Sequence, residues 1–376
     1  MQRIDHPLIS PSLGVHKTVT SLHFGAPGAR PKVYIQASLH AEELPGMLVA
    51  HHLRKLLADA DQKGEVTGEV ILVPVANPIG LAQRLDHKPM GRFELDTSEN
   101  FNRHYPDLAK AAEPLVTDAL SADPQANVAL VRAAMRGYLD QWKPTTELQS
   151  LRKTLLMLAF DSDLVLDLHC DCEAIMHMYA EEACWPPLEP LANLLQCEAV
   201  LLAKNSGGGP FDECLSGAWW QLKQSLEAKG ITAPIPQACS TTTIEFRGEA
   251  DVSHTLAAQD TQALWAFLKH TGAVRSANPV KIPTARCQAT PLAGSETLTA
   301  PVPGLLVFTA AVGQQVQPGD VIAEIIDPTN DTTHPVVAGV AGIFYARVRE
   351  RYLTTGGEVG KIAGAIPFRT GELLGA

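Results

Sequence analysis

Short, almost uninterrupted apolar runs alternate along the chain with longer segments whose apolar positions recur every three or four residues. KVYIQAS (32–38) and EVILVPV (69–75) belong to the first kind and predict buried strands, the second stopped by Asn77-Pro78. Between them Val49, Ala50, Leu53, Leu56, Leu57 and Ala60 fall on one helical face. A buried strand, a helix and a second buried strand predict a parallel βαβ unit of the usual hand. Residues 107–160 are helical by pattern, with breaks predicted at Pro114, Pro124 and Pro144. DLVLDL (163–168) predicts a strand that runs straight into His169, and residues 197–203 predict another. NSGGGPF (205–211) is too Gly-rich for regular structure. A helix over 212–228, a β-branched strand TTTIEF (241–246) carrying Glu245, and a helix near 255–270 complete this part.

After about residue 275 the pattern changes. ANPVKIPTAR reads as a linker, and beyond it short β-type runs alternate with Gly and Pro turns: GLLVFTA, GQQVQPGDVIAEI, HPVVAGVAGIFYARV. Two domains are expected, residues 1–280 as an α/β catalytic domain and 281–376 as a small all-β domain. GQQVQPGDVIAEI resembles half of a biotinyl/lipoyl-type barrel-sandwich. The matching hairpin, PVVAGVAGI (335–343), has no Lys to carry a prosthetic group, so a structural cover that narrows the active-site entrance or supports oligomerisation is expected instead.

Composition narrows the function. Across 376 residues the formal net charge is −11, which argues against nucleic acid as a partner, because phosphate binding needs a basic surface. Charged residues make up 19%, ordinary for a globular protein. No apolar run is long enough to span a membrane. MQRIDHPLISPSLG lacks a signal-peptide core, and seven Cys without tight spacing make no disulfide framework, so a reduced, cytoplasmic protein is expected.

The chemistry lies near strand ends, where α/β sheets bind ligands. His40 and His169 each follow a predicted strand closely, and Glu43 stands three residues after His40 at a helix entry, a spacing that lets both side chains face one ion. Two imidazoles and a carboxylate make a catalytic zinc set with one position open for water. His-x-x-Glu alone is equally a capping Glu beside a surface His; the second post-strand His changes that balance. Asp167 is either an acceptor that fixes a ligand imidazole or an ordinary strand-end carboxylate. A Cys-based zinc site at Cys170 and Cys172 lacks a second Cys pair.

SLHAEELPGM (38–47), NPIG (77–80), ENFNRHYP (99–106), DLHCD (167–171) and TIEFRG (243–248) occur in the order found in zinc carboxypeptidase-like enzymes. The chain most resembles their succinylglutamate desuccinylase/aspartoacylase branch over most of residues 30–270. The resemblance implies a mixed sheet flanked by helices and a C-terminal β-domain. It implies one zinc per chain held by His40, Glu43 and His169, with Glu245 as general base. It also implies that Asn102-Arg103 grips a substrate carboxylate and that Arg92, rather than its competitor Arg84, polarises the scissile carbonyl. A Glu inside an apolar strand agrees with a base whose pKa is raised by burial. Its competing role is an ion pair with Arg247, which strand alternation places on the same face.

The expected reaction is hydrolysis of the amide of a small N-acyl amino acid or related acylated amine. A metallocarboxypeptidase would use the same residues on a peptide. A non-catalytic binding protein would not need both the zinc set and Glu245. Cys-Asp-Cys after His169 departs from the expected small polar residues. The 107–160 helices are longer than a minimal deacylase needs and are available to shape a different pocket or a homo-oligomer contact.

Overall fold

The computed structural model describes residues 1–374. A nine-stranded mixed sheet runs, edge to edge, through Gln2–Pro7, Thr18–Phe24, Glu69–Val73, Lys32–Ala37, Leu164–Asp171, Ser240–Gly248, Met176–Glu181, Ala199–Ala203 and Thr290–Pro291. The expected βαβ unit is present: Lys32–Ala37 and Glu69–Val73 are parallel neighbours joined through helix Pro45–Gln62. Helices cover both faces, which is why the central strands read as unbroken apolar runs. Val33, Ile35, Leu166 and Leu168 enter a core with helices Pro45–Gln62, Trp185–Leu195 and His254–His270. Tyr34, Ile71, Val73 and Val165 enter the opposite core, under helices Leu108–Val116, Pro124–Gln141, Glu147–Ala159 and Phe211–Ala228.

Three sequence expectations need correction. Pro114 does not break a helix; it sits inside Leu108–Val116, which ends two residues later. His169 does not follow its strand but lies within it, because pairing continues through Glu245↔His169 to Gly248↔Asp171. Arg247 does not share the face of Glu245. The register shifts after Glu245, Arg247 takes φ 62°, and its guanidinium pairs with Asp260 on helix His254–His270. A left-handed residue interrupts the two-residue period on which the alternation argument rests.

The C-terminal part is all β. Strands Ser295–Thr299, Glu358–Gly364, Gly342–Arg347 and Gln315–Val316 form one sheet, and Thr332–Val337, Val321–Asp327, Gly304–Phe308 and Tyr352–Leu353 form a second. Leu306, Ile322, Ile325, Phe344 and Ile362 fill the space between them. This region is tied to the large sheet, since Glu173–Ala174 pairs with Gly342–Arg347.

One buried acid has a consequence for stability. Glu181, 2% exposed, meets Ser216 Oγ and accepts from Trp220 Nε1 (2.8 Å), both on helix Phe211–Ala228. Burial pushes its carboxyl up to about 8. A folded-state pKa above the unfolded one contributes stability at low pH that is lost as pH rises through the folded value. The melting-temperature advantage of Glu181→Gln over the parent should therefore widen from pH 6 toward pH 8 and level off above it. A constant difference across that range would mean that Glu181 is ionised in the fold.

Candidate active site

His40 is placed by a loop held at several points. Ser38 takes a left-handed φ of 65°, a conformation sustained only where surroundings enforce it. Asn77 Nδ2 donates to the Leu39 carbonyl (2.9 Å), and Ala41 N donates to the Gly91 carbonyl (2.9 Å). Gly91 is required at this approach, because a Cβ there would stand 2.4 Å from Glu42 N. The same stitching brings Arg92 to the cluster, with Nη1 3.3 Å from both Glu43 Oε1 and His40 Nδ1. Arg84 lies exposed on a short hairpin, Arg84–Leu85 with Lys88–Pro89.

The three expected metal ligands converge. His40 Nδ1 is 2.9 Å from Glu43 Oε1, and His169 Nδ1 is 2.6 Å from Glu43 Oε2. Among the described residues they form the only cluster of three or more His, Cys, Asp or Glu suited to a metal ion. The far side of each ring decides its tautomer. Asn100 Oδ1 accepts from Asn102 N (2.7 Å), which identifies it as the oxygen, and it lies 2.9 Å from His40 Nε2. His40 Nε2 therefore carries the proton and Nδ1 a free lone pair. Asp167 Oδ2 lies 3.0 Å from His169 Nε2 and does the same for the second ring. Asp167 is held in turn by Gln36 Nε2 (3.0 Å), whose Oε1 accepts from Tyr34 OH (2.8 Å).

The electrostatics favour a cation at the convergence point. Burial, then the Arg92 charge, lowers His40 to about 4, so its ring is neutral. Burial alone would also lower His169, but Asp167 and then Glu43 outweigh it and hold a proton on the ring. Burial would raise Glu43, yet the two facing imidazoles keep it well below the usual carboxylate range. A position that attracts a proton so strongly, with two ring lone pairs and a carboxylate directed at it, fits a divalent metal of borderline softness. Burial raises the Cys172 thiol to about 12 and Cys170 further still, so neither is a ready thiolate ligand.

Beside the cluster is a cavity of about 390 Å³. Glu245 lines it, flanking His169 in strand register, with burial and then the Glu43 charge raising its carboxyl to about 8. Asn102 and Arg103 line it as well. Asn102 Oδ1 accepts from Phe211 N (2.8 Å), while His104 and Tyr105 N donate to the Gly208 and Gly209 carbonyls. Gly208, at φ 71°, lies against the Arg103 side chain, where a Cβ would be 2.7 Å from Cδ. The Gly-rich loop is thus the bed of Arg103. Pro210 holds the cap position of the following helix, and Asp212 Oδ2 accepts from Thr243 Oγ1 (3.0 Å).

Sequence reasoning missed Asn100 and Gln36, and it did not name the side chains that the C-terminal region brings to the cavity. Tyr345, Lys361, Arg369 and Leu373 all line the cavity. Lys361 Nζ donates to Asp171 Oδ2 (2.9 Å), two residues beyond His169. All seven cysteines are free thiols. No helix among the described residues is long and apolar enough to cross a membrane.

Residues 29–271 match the model of the succinylglutamate desuccinylase/aspartoacylase catalytic domain. No curated protein matches in sequence. Among solved structures, a protein described as belonging to that family from Shewanella amazonensis is 24% identical, covering 96% of this chain and 98% of its own, with a TM-score of 0.83. A second such protein from Shewanella frigidimarina is 23% identical over 96% and 97%, with a TM-score of 0.84. The product-bound ectoine utilization protein EutE (DoeB) from Ruegeria pomeroyi is 16% identical over 96% and 93%, with a TM-score of 0.65. At these identities the structures speak to the fold, which includes the C-terminal β region.

Proposed function

The chain belongs to the succinylglutamate desuccinylase/aspartoacylase family, and from that premise we propose a zinc-dependent hydrolase that cleaves the amide bond of a small N-acyl amino acid or related acylated amine. One observation carries the reading. The two imidazole lone pairs, the Glu43 carboxylate, Glu245, Arg92 and Arg103 all open on the same cavity. A bound zinc ion acidifies water toward neutrality and polarises a carbonyl.

The residues of the chain supply the rest. Glu245 takes the proton from the attacking water and passes it to the leaving nitrogen, so one carboxyl serves as base and then as acid. The Arg92 guanidinium stands beside Glu43 and meets the negative charge that develops on the carbonyl oxygen. Arg103, bedded on the Gly-rich loop beside Asn102, receives a substrate carboxylate through its planar fork. His40 and His169 would hold the ion through Nδ1, because Asn100 and Asp167 engage the opposite nitrogen of each ring. The products are a carboxylate and a free amine.

The C-terminal region favours a small substrate over a peptide. Tyr345, Lys361, Arg369 and Leu373 contribute to the cavity wall, and its size suits a metabolite. A panel of acetyl-, succinyl- and formyl-amino acids set beside short peptides tests this. Turnover of one or more acylated amino acids is expected, and a clear preference for peptides would make the protein a carboxypeptidase.

A further inference from the structure

Glu245 has a second histidine neighbour that no part of the proposed reaction uses. Across the sheet, Glu245 pairs with His169 on one side and with His177 on the other. Paired residues project to the same face, and for the antiparallel pair the Cβ atoms stand about 4.5–5.5 Å apart. His169, Glu245 and His177 therefore form one row over three adjacent strands, with the metal ligand at one end.

His177 is fully buried, and its ring is held edge-on by Tyr179 (centroids 5.4 Å apart) and Tyr345 (5.0 Å). Its Nδ1 lies 2.9 Å from the Ile175 carbonyl, which can only accept. The proton is therefore on Nδ1, and Nε2 presents a bare lone pair with no hydrogen-bond partner. Glu245 is complementary. It lines the cavity, yet its Oε2 is closed off from solvent and also lacks a partner. Two buried polar atoms of this kind are costly when left apart. The other charges facing His177 are Asp171 and Lys361, which are already paired to each other.

We propose that His177 is the positioning residue of Glu245. Its Nε2 and Glu245 Oε2 hold one proton between them, directly or through one ordered water, so that the remaining carboxyl oxygen faces the metal cluster. Tyr345, from the C-terminal region, packs edge-on against the ring and fixes its place in the row.

The inference rests on Glu245 being the general base, and its test separates the two. His177→Phe keeps the ring's bulk without the acceptor, whereas His177→Gln restores one. His177→Phe should retain the metal and lose about 10–100-fold in kcat, the usual scale for an outer-shell partner, with KM little changed. His177→Gln should recover most of that loss. Independently of any substrate, melting temperatures are measured for Glu245→Gln, His177→Phe and the double variant. Groups in contact give a double shift that differs from the sum of the single shifts. Strictly additive shifts, or an unchanged kcat in His177→Phe, overturn the proposal. An inert parent protein whose melting shifts are still coupled would overturn the hydrolase reading and leave the pairing standing.

Discussion

Glu245→Gln should keep about one metal ion per chain while its kcat falls roughly 10²–10⁴-fold, the contribution of a positioned general base. The amide has the shape of the carboxyl but cannot take up a proton, so substrate binding should be preserved and the loss should fall on kcat rather than KM. Glu245 is the right target because the fold bears a burden to keep it. Burial and the Glu43 charge push its carboxyl up to about 8, and one of its oxygens has no protein partner. A neutral amide relieves the desolvation, so the variant should melt no lower than the parent at alkaline pH. Metal analysis and steady-state kinetics on the same preparation check the prediction. Near-normal turnover would remove Glu245 from the reaction.

His169→Ala should lose both the metal and the activity, and it should also lose stability. The imidazole is the partner of Asp167, which is 0% exposed. Without it, Asp167 keeps only the Gln36 amide on Oδ1. Removing one member of a buried charged pair costs about 3–5 kcal/mol. Adding Asp167→Asn takes away the stranded charge, so the double variant should regain part of the stability and none of the metal. Metal content, turnover and urea midpoints of the two variants separate these effects. A fully loaded His169→Ala protein would overturn the ligand assignment. A midpoint unaffected by the second change would show that Asp167 is neutral when its partner is absent.

The convergence of His40, Glu43 and His169 was legible because each combines a characteristic residue type with a position near a strand end. Asp167 was legible as one of two readings, and the 3.0 Å approach to His169 Nε2 decides between them. Arg92 was separable from Arg84 only by their offsets within a motif. In space, one reaches Glu43 and the other lies exposed on a hairpin. What stayed hidden depends on contacts across long stretches of chain. Gln36 finds Asp167 131 residues away, and Asn100 finds His40 across 60. A signal for Gln36 existed, since a polar side chain in the middle of KVYIQA is costly unless satisfied. Asn100 offered none apart from lying in ENFNRHYP. The face of Arg247 was illegible for a different reason, because residue counting cannot detect a left-handed backbone at the counted position.

Regular elements followed the pattern closely where amphipathicity was strong, as in helices Pro45–Gln62 and Phe211–Ala228. The proline rule failed at Pro114. Its helix has a fully formed turn from the Asp107 cap before the ring interferes, so the chain tolerates it near the C-terminal end.

The strand that carries His169 has a further meaning for how such proteins are altered. Three residues in alternation, Asp167, His169 and Asp171, turn to the same side, and each answers to a different part of the chain. Asp167 is bonded to the neighbouring strand, His169 meets Glu43 in the candidate metal cluster, and Asp171 is bonded to Lys361 of the C-terminal sheet. The C-terminal region is consequently not an exchangeable module. Grafting one from a relative to reshape the cavity would strand a carboxylate two positions from His169 unless Asp171 and Lys361 were transferred as a unit. The wall of the cavity and the surroundings of His169 are inherited together.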